Sequence, residues 1–391
     1  MRELIHKIQG FWKNFFRTGD MVLLVLCLAI SAFSCLVLAS VTGAEKFGSS
    51  TRYIVVQMGA TVLGVLLYAI VSSIDLEFFS EHRIWLVGIN IFLLLLLIPF
   101  GTDNNTGNRS WLNFSFLPFF IQPAEICKIF LILIMASVMN SHQNHLSSPR
   151  SVLHMAFHLG LLAALNLVIS RDLGVTLIFV FVFIGMAFAG GVKLIWFLFG
   201  AGVLALGGPF YWNHFMNNRQ KQRILMLFDP SIDPQGIDVR YHTKHSLQSL
   251  TGGGMMGQGL FEGNRTQAGI LPAQHTDFIF SSIGEELGYV GCALVILALL
   301  ALVARCIWVG VHSNDFMRRL VCFGAASALI FQICINIGMC IGVVPVIGLT
   351  LPLISYGGSS IVTIYAMLGL VSGVHARPSP RSHERYIQPP R

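Results

Sequence analysis

Apolar residues fall into ten blocks of similar length, at roughly 21–41, 53–73, 83–100, 121–140, 151–170, 173–191, 193–212, 279–309, 317–343 and 351–375. A helix crossing a bilayer needs about 20 mostly apolar residues, so each block predicts one span. The pattern is interrupted at length only once, by a polar stretch from 213 to 277. Ahead of the first block, MRELIHKIQGFWKNFFRTGD mixes basic and aromatic residues. No small-residue cleavage site clearly follows it, so it predicts an amphipathic helix on the membrane surface before a retained first span. The predicted fold is an all-α polytopic membrane protein of about ten transmembrane helices, with one large extracytoplasmic loop between helices 7 and 8. Residues 1–376 read as a single membrane domain. Residues 377–391, basic and Pro-containing, read as a disordered cytoplasmic tail near anionic lipid.

Composition agrees with that pattern. Of 391 residues, 54% are hydrophobic and 11% charged, against about 25% charged in soluble domains. The net charge of +7 matters by its location. With the N-terminus inside, the inner side receives Arg2, Lys7, Lys13, Arg17, Arg83, Arg150, Lys193, Arg305, Arg318, Arg319 and Arg377 together with the tail arginines. The short outer loops receive only Lys46, Arg52, Arg109 and Arg171. This bias sets orientation and places both termini in the cytoplasm. No basic cluster stands beside exposed aromatics, which argues against nucleic acid as a partner. The eight cysteines lie in apolar stretches without C-x-x-C spacing and read as packing residues.

The candidate chemistry sits at the outer ends of the blocks. In LPAQHTDFIFSSIGEELG, residues 271–288, Asp277 stands where the long polar stretch meets hydrocarbon, with Glu285 and Glu286 behind it. An acid in that position is either the N-cap of the next helix or a base tuned by burial and nearby cations. Glu125 and Lys128 in QPAEICK are three apart on one helical face. They either pair to fix packing or face a polar cavity. Arg109 and Trp111 precede that helix, as an interfacial anchor or as ligands for phosphate and sugar. Arg171-Asp172 opens the sixth span, where Asp172 reads equally as a cap and as a site residue. The long stretch holds Arg219, Lys221, Arg223, Arg240, Lys244 and Arg265, which suit an anionic ligand or lipid headgroups. Gln248-Ser249 and the glycines Gly252, Gly253, Gly254, Gly257 and Gly259 follow. They read as backbone exposed for phosphate oxygens or as a flexible turn-rich loop. No P-loop or dinucleotide pattern is present. Asn336-Ile337-Gly338 and Pro352-Leu353-Ile354-Ser355-Tyr356-Gly357-Gly358-Ser359-Ser360 predict close helix packing or a broken segment facing a cavity.

These stretches, in this order over nearly the whole chain, resemble the SEDS family (shape, elongation, division, sporulation). The most specific are HTDFIFSSIGEELG, QPAEICK and PLISYGGSS. The resemblance implies ten spans and peptidoglycan glycosyltransferase activity on lipid II at the outer face of the bacterial cytoplasmic membrane. It further implies a class B penicillin-binding protein and elongation-complex proteins as partners. By the family's motifs, Asp277 is the essential acid, Glu125 and Lys128 are the polar pair of the central cavity, and Trp111 belongs to the first outer motif. Asn336-Ile337-Gly338-Met339 and Pro345-Val346 lean to the elongation branch, while Leu349-Thr350-Leu351-Pro352-Leu353 also suits the division branch. Ser170-Arg171 departs from the residues that relatives often carry before the Asp at 172.

The reaction so implied joins a sugar hydroxyl to an anomeric carbon that leaves a pyrophosphate, with inversion. It needs a base, for which Asp277 is the candidate, and cationic stabilisation of the leaving group. Arg223, Lys244 and Arg265 are candidates for the second role, with Gln248, Ser249 and Glu285 as further cavity residues. No ligand cluster announces a metal, and a divalent cation (Mg or Mn) stays an option. A lipid II flippase, a scaffold that only recruits the penicillin-binding partner, and a symporter are the competing classes.

Overall fold

The computed structural model describes residues 2–43, 50–102, 109–114, 119–238 and 240–377. Lys46, Asn108 and the tail beyond Arg377 lie outside them. The elements in order are α1 (Arg2–Thr18), α2 (Met21–Val41), α3 (Ser50–Ser73), α4 (Leu76–Glu81), α5 (Arg83–Leu95), α6 (Leu97–Phe100), β1 (Gly101–Thr102), β2 (Trp111–Leu112), α7 (Pro123–Ser141), α8 (Pro149–Ile169), α9 (Leu173–Gly190), α10 (Leu194–His214), α11 (Asn218–Leu225), α12 (Tyr241–Gly252), α13 (Asn264–Gln267), α14 (Ile279–Val311), α15 (Phe316–Cys340) and α16 (Gly358–Ala376). Among the described residues, ten helical stretches are long and apolar enough to cross a membrane, α5 and α6 together forming the third.

Short polar residues start many of these helices. The Asp20 carboxylate accepts from the Leu23 amide, Ser148 from Ser151, Asp172 from Val175 and Asp315 from Arg318. The centre of the bundle is α7, α15 and α16, most of whose residues are buried. Glycines allow the close approaches. A Cβ on Gly369 would lie 2.8 Å from the Tyr68 carbonyl of α3, and one on Gly324 would lie 2.8 Å from Ile132 of α7. At the other extreme, α10 buries no residue. It is tied at its start, where the Lys193 amide and Trp196 Nε1 each donate to Ser147 at 2.9 Å.

Two departures from the hydropathy reading have physical causes. The last span begins at Gly358, not near 351. Residues 341–357 are irregular backbone, largely buried from 349 to 355. An apolar run there therefore marks a segment enclosed by protein, where non-helical backbone is tolerated. The long polar stretch 213–277, expected as a large loop, also has regular structure of its own. It carries α11, α12 and α13, and α12 packs on α14 and α15.

The glycine run has a structural use that its composition did not disclose. Gly288 breaks α14 with φ 67° and ψ −166°. The broken helix leaves carbonyls and amides unpaired, and the run fills them. Gln258 and Gly259 amides donate to the carbonyls of Glu285 and Glu286 at 2.9 and 3.0 Å. The amides of Tyr289 and Val290 donate to Gly254 and Met255 at 3.0 and 3.2 Å. A Cβ on Gly257 would stand 2.1 Å from the Glu286 carbonyl. Gly253 and Gly257 thus lie against the backbone of α14, and the amides of Gly257 and Gly259 are taken up by the carbonyls of Gly253 and Glu286.

Candidate functional site

The segment 271–278 is a run of turns leading into α14, and it is clamped from two sides. Asn336 on α15 donates from Nδ2 to the Asp277 carbonyl at 2.8 Å and to the Leu349 carbonyl at 2.6 Å. Ser355 Oγ donates to the Thr276 carbonyl at 2.6 Å, and the Tyr356 amide to the His275 carbonyl at 2.9 Å. Asp277 is therefore held by its backbone while its carboxylate stays available. Phe278 occupies the N-cap position of α14 and makes no side-chain cap, so the cap reading of Asp277 does not apply. Among the described residues no hydrogen-bond donor reaches that carboxylate. A Cβ on Gly348, at φ 83°, would lie 3.5 Å from its Oδ2, so the connector between α15 and α16 runs directly beside it.

Burial pushes the Asp277 carboxyl up to about 6; Arg223 opposes that rise and Asp172 adds to it. A carboxyl near that value is mostly ionised at neutral pH and still basic enough to take a proton from a hydroxyl. Arg223, on α11, donates to the Val346 carbonyl at 3.1 Å, which fixes it over the same connector. His242 on α12 stacks on Phe278 at 5.8 Å between ring centres. Burial and Arg223 hold it below the usual histidine range.

Behind Asp277 lies a second polar group. Asp172 caps α9 and accepts from Gln122 Nε2 at 3.1 Å; burial raises its carboxyl, and Glu125 adds to the rise. Pro123 in the first turn of α7 puts Glu125 and Lys128 on one face. They form a buried ion pair of 2.8 Å, and Thr363 of α16 donates to the same Glu125 oxygen at 3.1 Å. From the sequence, Asp172 read equally as a cap and as a site residue, and Gln122 stood only as the first residue of QPAEICK. The signal for Asp172 was a capping position at an outer helix end, which is too common to separate from structure.

The remaining candidates are placed differently. Glu285 accepts the Arg265 amide at 2.7 Å, and the Thr266 amide and hydroxyl at 3.1 and 2.8 Å. Both of its oxygens hold α13, so it shapes the loop and does not face a substrate. Glu286 likewise ties Ser40 Oγ at 2.7 Å and Gln267 Nε2 at 2.8 Å to α14. Lys244 is exposed and donates to the Gln235 carbonyl at 2.8 Å, which supports its own turn. Arg265 donates to Gln248 Oε1 at 2.8 Å and contacts His245, a cluster along α12. Ser249 is buried in the packed face of that helix. Trp111 is half-buried in β2, next to the Leu112–Ile121 bridge that leads to Gln122. Arg109 is exposed. Among the described residues no group of three or more His, Cys, Asp or Glu is placed to hold a metal ion. Arg223 is the basic residue whose charge opposes the rise of the Asp277 carboxyl.

The helical architecture and the acid at its irregular end define a class. The chain matches the cell cycle protein family of FtsW, RodA and SpoVE over residues 18–379, and it belongs to that family. It is 31% identical over 360 residues to the peptidoglycan glycosyltransferase MrdB of Escherichia coli K12, covering 91% of this chain and 93% of that protein. It is also 31% identical over 364 residues to a probable peptidoglycan glycosyltransferase FtsW of Geobacter sp. strain M18, covering 92% and 97%. Among solved structures it resembles a chain of a peptidoglycan synthase complex that coordinates polymerisation and crosslinking, with a TM-score of 0.74, 29% identity and coverage of 92% and 98%. It resembles the rod shape determining protein RodA of Thermus thermophilus with a TM-score of 0.66, 27% identity and coverage of 93% and 98%.

Proposed function

We propose that this protein is a peptidoglycan glycosyltransferase that polymerises lipid II during cell elongation, with Asp277 as general base. The observation that carries the reading is the Asp277 carboxyl, backbone-clamped, free of donors among the described residues and raised by burial to about 6. The carboxylate takes the proton of the acceptor sugar's C4 hydroxyl as that oxygen attacks the anomeric carbon of the donor sugar. The C–O bond to pyrophosphate breaks on the opposite face, which inverts the α linkage to β. Arg223 is the cation best placed to offset charge on the departing pyrophosphate. The Lys and Arg distribution supports an extracytoplasmic site with both termini in the cytoplasm. A class B penicillin-binding protein is the expected partner, which would crosslink the strands. Residues 1–376 act as one membrane domain in this reading.

Asn336→Ala is expected to lower kcat about tenfold with KM for lipid II little changed, because it releases the Asp277 carbonyl while leaving the binding surfaces. Steady-state kinetics on purified protein checks this, and an unchanged kcat would remove Asn336 from the mechanism. The reading itself is tested by reconstituting the protein in vesicles with labelled lipid II. Glycan strands should form; transport of the lipid across the bilayer without polymer would assign a flippase instead.

A further inference from the structure

One imidazole near Asp277 has no role in the mechanism so far. His242 lies on α12, and its ring stacks on Phe278, the residue after Asp277. Their centres are 5.8 Å apart and their planes inclined by 17°. The Tyr241 ring meets it edge-on, at 6.0 Å and 89°. The helix beneath is pinned, since Ser246 Oγ donates to the Cys340 carbonyl at 2.7 Å. The ring is thus held by packing, and among the described residues neither of its nitrogens makes a hydrogen bond. The two nitrogens differ in access. Nδ1 is enclosed and has no partner, whereas Nε2 is not among the enclosed unpaired atoms and is reachable from outside. Burial, and then the charge of Arg223, depress His242. The same charge opposes the rise of Asp277, so the three groups share one locality.

We propose that His242 is a substrate-binding residue, which donates from Nε2 to a pyrophosphate oxygen of the lipid-linked sugar beside Arg223. This rests on the polymerase reading. The tautomer follows from burial. The surroundings disfavour the imidazolium, so at neutral pH one ring nitrogen carries the proton and the other accepts. On Nδ1 that proton would be a buried N–H with no acceptor, an arrangement that folded proteins avoid. On Nε2 it is a donor at the accessible side of the ring, and its acceptor comes from outside the described chain. Arg223 indicates what that acceptor is. Its Nη1 is already committed to the Val346 carbonyl at 3.1 Å. A pyrophosphate is doubly charged and offers several acceptor oxygens, more than the rest of one guanidinium satisfies. A second cation would be repelled by Arg223, while a neutral imidazole N–H adds a hydrogen bond without that repulsion. The stack on Phe278 registers this donor to the segment that carries Asp277. The base and the leaving-group donors are then fixed relative to one another before substrate arrives.

The test uses full-length protein in micelles, with undecaprenyl pyrophosphate, which carries no sugar, as binding probe and lipid II as substrate. His242→Phe keeps the stack on Phe278 and removes the donor. It should bind the probe about tenfold more weakly, as expected for one hydrogen bond to a charged group. It should also form strands at least about tenfold more slowly, as for the loss of one donor to developing negative charge. His242→Gln supplies an amide N–H in place of the imidazole and should stay within about threefold of wild type in both measurements. Wild-type affinity for the probe in folded His242→Phe would overturn the assignment. So would equal losses in the glutamine and phenylalanine variants, which would leave the imidazole a role of shape and not of donation. If His242→Phe does not fold, NMR of wild-type protein labelled with 15N-histidine decides the matter. The probe should shift the Nε2 resonance that is missing from the His242→Gln spectrum, and no shift overturns the proposal. A protein that binds the probe through His242 yet forms no strands would count against the polymerase reading alone. Strand formation by wild type, with unaltered probe binding in His242→Phe, would count against this assignment alone.

Discussion

Asp277→Asn is expected to abolish strand formation from lipid II, by at least about a hundredfold within the range usual for general-base loss, while the protein melts no lower than wild type. Both halves follow from the same environment. The amide cannot accept a proton from the sugar hydroxyl. It also removes a carboxylate whose ionisation the fold disfavours. The folded carboxyl titrates near 6 against about 3.9 when unfolded. Between those values the unfolded chain is ionised while the folded one still holds its proton, so wild-type stability falls as pH rises through this window and stays reduced above it. The Asn variant escapes that loss. Its melting temperature should equal or exceed that of wild type at pH 7.5, and the difference should vanish near pH 4. Inactive protein that melts well below wild type at pH 7.5 would make Asp277 a structural residue.

The buried Glu125–Lys128 pair should give the largest stability effect in the molecule. Lys128 is fully buried, Glu125 is 4% exposed, and they meet at 2.8 Å. Removing one partner strands the other charge away from water, which costs about 3–5 kcal/mol for a buried pair. Lys128→Met and Glu125→Ala should each lower the melting temperature sharply. The double change Glu125→Leu with Lys128→Met should recover most of the loss, since an apolar pair of similar volume packs without desolvating charge. Activity should not recover with it. Glu125 acts on Asp172, and Asp172 acts on Asp277, so the pair sets the field around the base as well as the packing. A double variant restored in both stability and strand synthesis would leave the pair a packing role only.

Much of this was legible in the sequence, for identifiable reasons. Spanning helices announce themselves by length and apolarity, and all ten predicted blocks contain one. Asp277 stood out because a carboxylate is costly at the edge of a hydrocarbon block. What stayed hidden depends on contacts between distant parts of the chain. Nothing local tells that Glu285 is consumed by the amides of α13, or that Gly252–Gly259 repairs a break at Gly288. The connector 341–357 misled because buried irregular backbone is as apolar as a helix, so hydropathy moved the last span seven residues early. Asn336 read as part of a close-packing or cavity-facing stretch, with no link to Asp277, and its bond to the Asp277 carbonyl crosses from α15 to a segment 59 residues away.

The most direct check is the rate of strand formation by purified wild-type protein from pH 4.5 to 8.5, with lipid II held well below its KM so that the profile reports the free protein. A single proton-dependent limb should appear, half-maximal near pH 6 and rising toward neutrality, as the Asp277 carboxylate becomes available. A rate independent of pH across that range, or an identical limb in Asp277→Asn, would contradict the assignment of this residue as the base.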